Sequence, residues 1–225
     1  MEKKNTAKKV LKIFLIILLI TLVLLLIHTI RNFVIIKGLQ NNFSKYENST
    51  NYQIKAVMKD SNTPTINTMN YYTKDGKELG IVENKNNGEI HKVSMYNNGE
   101  RIDIFYDNPN EKACLLNTDT LVVKVNLYDH LATNNTWQTI LGSVTARIKS
   151  TNYNGKDCYI VNNFMSPSTL TGSTKNEVYI EKDTGLFIKS IQDSIATERE
   201  YTFNNVEDSI FTEPDIGKYK IKENK

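Results

Sequence analysis

The chain of 225 residues contains few of the residues that usually build a metal site or an active site. It has two cysteines, three histidines, one tryptophan and four prolines. Neither cysteine has a second cysteine or a histidine two to four residues away, which is the spacing that zinc sites need. The low proline content, with 40% hydrophobic and 24% charged residues, excludes a disordered stalk. We therefore expect a folded domain without a metal site and without a cofactor.

The two cysteines, Cys114 and Cys158, leave one alternative open. Both lie in segments with strand-like patterns, and a disulfide bond between them is permitted outside a membrane. The alternative, which fits the same pattern, is that both cysteines are buried free thiols.

Catalysis has little support in the sequence. His28 lies in an apolar run, His91 in a strand-like segment, and His130 directly after Asp129. Neighbouring residues on a helix do not face each other, so Asp129 cannot orient His130 there. The stretch around Ser143 lacks the second glycine of a nucleophile elbow. We expect that the protein is not an enzyme.

One long apolar run dominates the N-terminal part of the chain, from Ile13 to Ile30, with the sequence IFLIILLITLVLLLIHTI. About 20 helical residues at roughly 1.5 Å each span a hydrocarbon core of ~30 Å. The run ends without the small residues of a signal-peptidase site, and no cysteine follows it directly. The sequence therefore predicts an uncleaved signal-anchor helix in a cell membrane, crossing it once.

The charges around this run predict its orientation. Residues 1–40 hold seven of the 28 basic residues and one of the 25 acidic ones, and most of the basic residues precede Ile13. Positive flanks stay in the cytoplasm, so the short tail is cytoplasmic and everything after the helix is extracytoplasmic. The remaining 21 basic and 24 acidic residues give the external part a net charge of −3. Nucleic-acid binding therefore has no support.

These observations predict four segments. They are a cytoplasmic tail (residues 1–12), a transmembrane helix (13–30), a juxtamembrane helix or linker (31–50) and one extracytoplasmic domain (51–225). The third segment has apolar residues at helical spacing: Phe33, Ile36, Leu39 and Phe43. We expect either a helix that lays this stripe on the domain or a linker helix.

From Tyr52 onward the hydrophobic period changes to two, which is typical of strands. Turn signals such as Asn98-Gly99 and Asn154-Gly155 separate the extended runs, and Leu127 to Val144 has helical spacing instead. We predict α+β, mainly antiparallel β: about ten strands in a strongly curved sheet or half-open β-barrel, with short inserted helices. The predicted strands are Tyr52–Lys59, Thr65–Lys74, Lys77–Glu83, Glu89–Tyr96, Arg101–Asp107, Lys112–Asn117, Leu121–Val125, Ala146–Tyr153, Asp157–Phe164, Glu177–Glu181, Leu186–Gln192 and Arg199–Phe203.

The C-terminal third resembles a known superfamily. Residues 178–186, VYIEKDTGL, and residues 200–206, EYTFNNV, look like the end of the bacterial lipoprotein-localisation (Lol-type) carrier fold. Phe211 and Pro214-Asp215-Ile216 are similar to the tail of that family. The resemblance covers residues 50–221 in overall pattern and residues 178–216 in motif.

This resemblance implies an incomplete barrel whose apolar concave side binds acyl chains or other hydrophobic ligands. The uncleaved anchor departs from the soluble carriers, so lipoprotein shuttling is not carried over. The predicted ligand-binding residues are Val93, Met95, Ile102, Ile104, Tyr106, Ile148 and Ile160 on the inward face, with Trp137 over the opening.

Two functions follow. The domain holds a lipid, lipopeptide, lipoprotein or other hydrophobic ligand, or it is an interaction or sensor domain for another envelope protein. In the second case its own side chains fill the concave side. Separately, the helical insert around Trp137 is either a lid over the cavity or a plug at the end of the sheet.

Overall fold

The structure is a computed structural model, and it describes residues 2–63, 65–86, 88–119, 136–162 and 176–222. This part of the chain has two α-helices, α1 (Glu2–Phe43) and α2 (Thr136–Thr145), and twelve strands in one sheet. The strands are β1 (Asn51–Asp60), β2 (Ile66–Lys74), β3 (Lys77–Asn86), β4 (Glu89–Asn97), β5 (Ile102–Asp107), β6 (Lys112–Thr118), β7 (Arg147–Tyr153), β8 (Lys156–Asn162), β9 (Asn176–Glu181), β10 (Phe187–Gln192), β11 (Ile195–Phe203) and β12 (Lys220–Ile221).

The predicted antiparallel sheet is confirmed. The strand order is β12-β6-β5-β4-β3-β2-β1-β11-β10-β9-β8-β7, so two meanders meet where β1 pairs with β11. β12 is parallel to β6, and the other neighbours are antiparallel. The sheet is not closed into a barrel. The predicted strand at Leu121–Val125, and His130 with most of the predicted helical insert, lie outside the described residues.

Helix α1 is long and apolar enough to cross a membrane. It continues without a break past Ile30 to Phe43, and its last turns belong to the core of the sheet. Ile36 and Leu39 are 0% and 2% exposed, which confirms the predicted apolar stripe. The hydrophobic core therefore includes residues on both sides of the predicted segment boundary at residue 50.

We call the sheet face that carries Ile54, Tyr71 and Ile104 the inner face, and the opposite one the outer face. Helix α1 packs on the inner face of β7–β10 and forms with it a cluster of eight buried residues. We call this region the sealed half. Its members are Ile36, Leu39, Ala146, Ile148, Val161, Val178, Ile180 and Phe187. The inner face of β1–β6 and β11 is the open half, with its own cluster around Ile54 and Ile104.

The C-terminal strap, residues 204–222, lies on the outer face of the open half up to Tyr219 and then joins the edge of the sheet as β12. The aromatic ring of Tyr219 packs edge-on against Phe105 with 5.1 Å between centroids, and its hydroxyl donates to Asp107 at 3.0 Å. Arg101 joins the strap to the sheet, because its guanidinium contacts Asp103 at 2.8 Å and Glu213 at 2.9 Å. Under the strap Leu79, Phe105 and Cys114 are at most 1% exposed.

The sheet order decides between the two alternatives for the cysteines. Cys114 lies on β6 and Cys158 on β8, and eight strands of the sheet lie between them. Both are buried free thiols. A disulfide bond between them within one chain is therefore excluded, and burial raises the pKa of both thiols, which makes them poor nucleophiles.

Candidate functional site

The open half carries a continuous apolar surface, because the strand register places apolar residues opposite one another on seven neighbouring strands. One cross-strand row runs from β11 to β6 through Tyr201, Ile54, Tyr71, Gly80, Met95, Ile104 and Leu115. A second row beside it contains Ala56, Met69, Val82, Val93, Tyr106 and Ala113. Each strand contributes alternate residues, since side chains on a strand point to opposite faces in turn.

Polar residues bound this apolar surface at both ends of the strands. At one end, Asn84 donates to Asn67 at 2.8 Å. At the other end, the Glu78 carboxylate accepts hydrogen bonds from Tyr71 and Asn97, each at 2.9 Å. Burial and Glu78 together raise the pKa of Tyr71, so its hydroxyl stays neutral and donates. The surface is thus an apolar belt between two polar margins.

The side chains of the belt are less buried than those of the sealed half. Among the described residues the open-half cluster has five buried and ten partly buried members, whereas the sealed-half cluster has eight and two. The partly buried members include Met69, Val82, Val93, Ile102, Tyr106 and Leu115. A protein core normally buries such residues completely.

Five of the predicted site residues lie together in this belt. Val93, Met95, Ile102, Ile104 and Tyr106 share the inner face of β4 and β5, and Met95 and Ile104 form a direct cross-strand pair. The alternation of β5 predicts this face correctly.

The other three predicted residues lie elsewhere. Ile148 is on the inner face but in the sealed half, where it is 5% exposed. The placement of Ile160 on the inward face is wrong, because Ile148 pairs with Val161 and the neighbouring Ile160 points to the outer face. The segment CYIV is apolar throughout, so its pattern does not fix which residues point inward.

Trp137 is 73% exposed on α2, and its predicted role over the opening stays a prediction. The buried side of α2, with Thr139, Gly142 and Ser143, packs against α1 beside the sealed half. The helical spacing of the α2 residues is visible in the sequence. The sequence does not show that α2 packs against α1.

Several belt residues were missed by the sequence analysis. Ile54, Met69 and Tyr71 complete the same surface on β1 and β2. In the sequence, the spacing of Met69, Tyr71 and Thr73 at every second position indicates one face of a strand. The polar residues around them weaken this pattern. Tyr201 and Phe203 belong to the Tyr-x-Phe motif, and their rings stack nearly parallel at 6.5 Å.

Polar contacts fix α1 to the sheet at both ends of the sealed half. The fully buried Asn32 side chain donates from Nδ2 to the carbonyl of Ala146 at 2.7 Å and to that of Ser143 at 3.0 Å. His28 Nε2 lies 3.1 Å from the same Ala146 oxygen. Near the C-terminal end of the helix, Asn42 donates to the carbonyl of Lys182 at 2.8 Å. The helix is therefore a fixed part of the domain.

A polar cleft of about 350 Å³ lies outside the belt, between the strap and the turns that follow β2 and β4. It is lined by Lys77, Glu78, Tyr96, Asn97, Asn98, Asp208, Phe211, Thr212 and Glu213. Among the residues that the structure describes, no group of histidine, cysteine and acidic side chains is arranged to hold a metal ion.

No protein-family model matches the chain, and no curated protein matches it. Solved structures do match, at low identity. An uncharacterised conserved protein of Thermus thermophilus is 11% identical at a TM-score of 0.45, with 83% of this chain and 97% of that chain covered. Lipoprotein LppX of Mycobacterium tuberculosis is 8% identical at a TM-score of 0.43, with 78% and 97% covered. A domain of Vibrio parahaemolyticus assigned to outer membrane lipoprotein sorting is 11% identical at 0.27, with 78% and 95% covered. These are remote likenesses.

Proposed function

We propose that the chain is a membrane-anchored binding protein that holds a hydrophobic ligand on the belt of its open half. The apolar part of α1 crosses the membrane, the lysine-rich tail is cytoplasmic, and the sheet is extracytoplasmic. The ligand class is a lipid, a lipopeptide or another molecule with an extended apolar chain. The protein binds this ligand without chemical conversion.

The observation that carries the proposal is the position of the strap. Strands β3–β6 are held from the outer side, where Leu79, Phe105 and Cys114 are almost completely buried. Their inner side keeps Val82, Val93 and other apolar side chains only partly buried. The outer side thus supplies a dry core for these strands, whereas on the inner side Met95 and Ile104 are buried and the apolar side chains beside them are only partly buried. Apolar side chains that stay partly exposed next to such a core are typical of a binding site.

The composition of the belt fits an apolar chain. Methionine and tyrosine side chains adapt to irregular partners, and aliphatic residues between them supply contact area. The belt has no charged residue at its centre, and the phenol groups of Tyr52 and Tyr71 have raised pKa values because they are buried. A polar head group would find its partners at the margins, near Glu78 at one end.

The test uses the full chain in lipid nanodiscs with a photoactivatable fatty acid. After irradiation, mass spectrometry locates the residues that carry the adduct. We expect adducts on inner-face residues of β2–β5, in addition to the unavoidable adducts on α1. A matched pair of variants controls for stability: Val93→Gln changes the inner face, and Val57→Gln changes a half-buried valine on the outer face.

The expected result is a severalfold loss of belt adducts in Val93→Gln and no loss in Val57→Gln. Adducts confined to α1 in the folded wild-type chain would contradict ligand binding. The interaction or sensor function would then be the one that remains. A reporter that is active only outside the cytoplasm, fused after Lys225, tests the orientation separately, and its silence in a membrane-inserted fusion would overturn it.

A further inference from the structure

Helix α1 meets the sheet at one end of its strands, with no linker between the apolar run and the domain. His28 and Asn32 contact the carbonyl oxygen of Ala146, the residue directly before β7. Arg31 lies beside the start of β7 as well, 3.4 Å from the Ile148 oxygen. The end of the apolar run, at Ile30, is therefore level with the start of β7. Where α1 spans a bilayer, this end of the sheet lies at the bilayer surface.

Other strand ends lie at the same side of the sheet. In an antiparallel meander every second connection returns to the same side, and here these include β1–β2, β3–β4, β5–β6 and β10–β11. The connections β1–β2 and β10–β11 are joined directly, because Ser61 N–H donates to the Ser194 carbonyl at 2.9 Å. We call β1–β2, β3–β4 and β10–β11, with the strand residues next to them, the bilayer-side rim.

The outer face of this rim has an unusual row of side chains. Register pairs Lys59 with Ile66, Ile66 with Lys85, and Lys85 with Ile90, so lysine and isoleucine alternate across four strands. All four are exposed: Ile66 is 38% and Ile90 is 52% accessible. Ile195, at the start of β11, lies on the inner side of the same rim and is 45% accessible. Among the described residues of the sheet, no contact explains why isoleucine is exposed at three strand ends of one rim.

We infer that the bilayer-side rim rests on the membrane that α1 spans, with the isoleucines in the headgroup layer and the lysines on anionic lipid headgroups. The chemistry is that of an interfacial surface, where apolar side chains enter the boundary region and basic side chains stay at the phosphates. Continuity with α1 selects the bilayer over another occupant, because the helix brings this rim to it. The inference rests on the proposed anchor and is independent of any ligand on the belt.

Such docking would fix the tilt of the domain. The bilayer-side ends of the open-half strands would then stay at the headgroup layer at a constant angle.

The experiment places an environment-sensitive fluorophore at single cysteines in the full chain, reconstituted in nanodiscs with or without anionic phosphatidylglycerol. Ile90→Cys and Asn98→Cys form the matched pair, because they lie at the two ends of β4 and both are exposed. Leu19→Cys, within the apolar run, reports whether the helix is inserted. Spin-labelled lipids in the nanodisc quench any fluorophore that lies in or near the bilayer. The native thiols are buried, and the unsubstituted chain is the control for any label that they take up.

In anionic nanodiscs we expect lipid quenching at position 90 to be severalfold stronger than at position 98. Lys59→Gln with Lys85→Gln should shift the docked-to-undocked ratio by roughly thirtyfold, at about 1 kcal/mol for each lysine. The quenching at position 90 should fall accordingly, while that at position 98 stays unchanged.

The outcomes separate the two proposals. Quenching at position 19 with equal, weak quenching at positions 90 and 98 would overturn rim docking and leave the anchor intact. No quenching at position 19 would overturn the anchor itself and rim docking with it. Strong quenching at position 90 that ignores the two lysine changes and the lipid charge would overturn the electrostatic part of the inference.

Discussion

In the sealed half α1 covers the inner face of the sheet, whereas in the open half the strap covers the outer face of β3–β6. Ile36 and Leu39 from α1 complete the core of the sealed half. Tyr219 from the strap packs against Phe105 on the outer face of the open half, whose inner face has a cluster of its own. The same curved sheet is thus covered from opposite sides in its two halves.

This comparison shows how one sheet can combine stability with an available apolar surface. A sheet has two faces, and either can supply the core that holds the strands. Where the strap supplies a core on the outer face, the belt side chains on the inner face can remain partly exposed with little loss of stability. The sealed half has no such surface to offer, because its inner side chains are the core.

The largest expected effect comes from Gly185, in the turn between β9 and β10 where the sheet meets α1. Its φ of +69° lies in the left-handed region, as the turn motif predicts, and an added Cβ would collide with the carbonyl oxygen of Leu39. Gly185→Val should lower the free energy of unfolding by about 3–5 kcal/mol through backbone strain and displacement of α1. Chemical denaturation of the full chain in micelles measures this.

The matched control is Gly155→Val. Gly155 has a similar φ of +81°, but nothing lies within 4 Å of its added Cβ. The conformational cost alone should be about 1–2 kcal/mol. Equal losses in both variants would show that contact between α1 and the turn contributes nothing to the sealed half.

The next largest expected effect is the difference in stability loss between leucine-to-alanine substitutions in the two halves. Leu39→Ala removes a 2% exposed side chain from the sealed core and should cost about 3 kcal/mol. Leu115→Ala removes a partly buried side chain from the belt and should cost about 1 kcal/mol. Thermal unfolding of both variants under one condition checks the difference. A larger loss in Leu115→Ala would mean that the belt is ordinary core.

The smallest effect tests the strap through pH. Burial and the hydrogen bond to Asp107 raise the pKa of Tyr219 from 10.0 to about 12. A raised folded-state pKa contributes stability that is complete below pH 10 and is lost as the pH rises toward 12. Tyr219→Phe should therefore be less stable at neutral pH and should lose less stability than the wild type between pH 10 and 12. Parallel pH dependences in the two proteins would contradict the role of this hydrogen bond.

Much of the fold could be predicted from the sequence because local signals agreed. Strict alternation in Ile102–Tyr106 and Gly-containing turns fixed the strands of both meanders and the face of β5. The stripe at Ile36 and Leu39 fitted either a helix that packs on the domain or a linker helix, and the structure shows the packed helix.

The parts that could not be predicted depend on long-range packing. The uniform apolarity of β8 hides which side chains face inward, so the sequence prediction puts Ile160 on the wrong face. The partner of α2 is α1, more than 90 residues earlier, and no local pattern encodes that contact. For the same reason the sequence did not show that the C-terminal segment covers the outer face, which is the feature that makes the belt available.

The unbroken course of α1 has a consequence for proteolysis of the proposed membrane anchor. Many surface domains are released when a protease cuts a flexible stalk next to the bilayer. Here the residues just beyond the apolar run, Asn32 and Ile36, are fully buried parts of the domain. A cut between Phe43 and Asn51 would leave the helix packed on the sheet, and under the proposed anchoring the domain would stay at the membrane although the chain was severed. A single cut at this position would then not shed the domain, and the proposed ligand would be taken up and delivered at one bilayer.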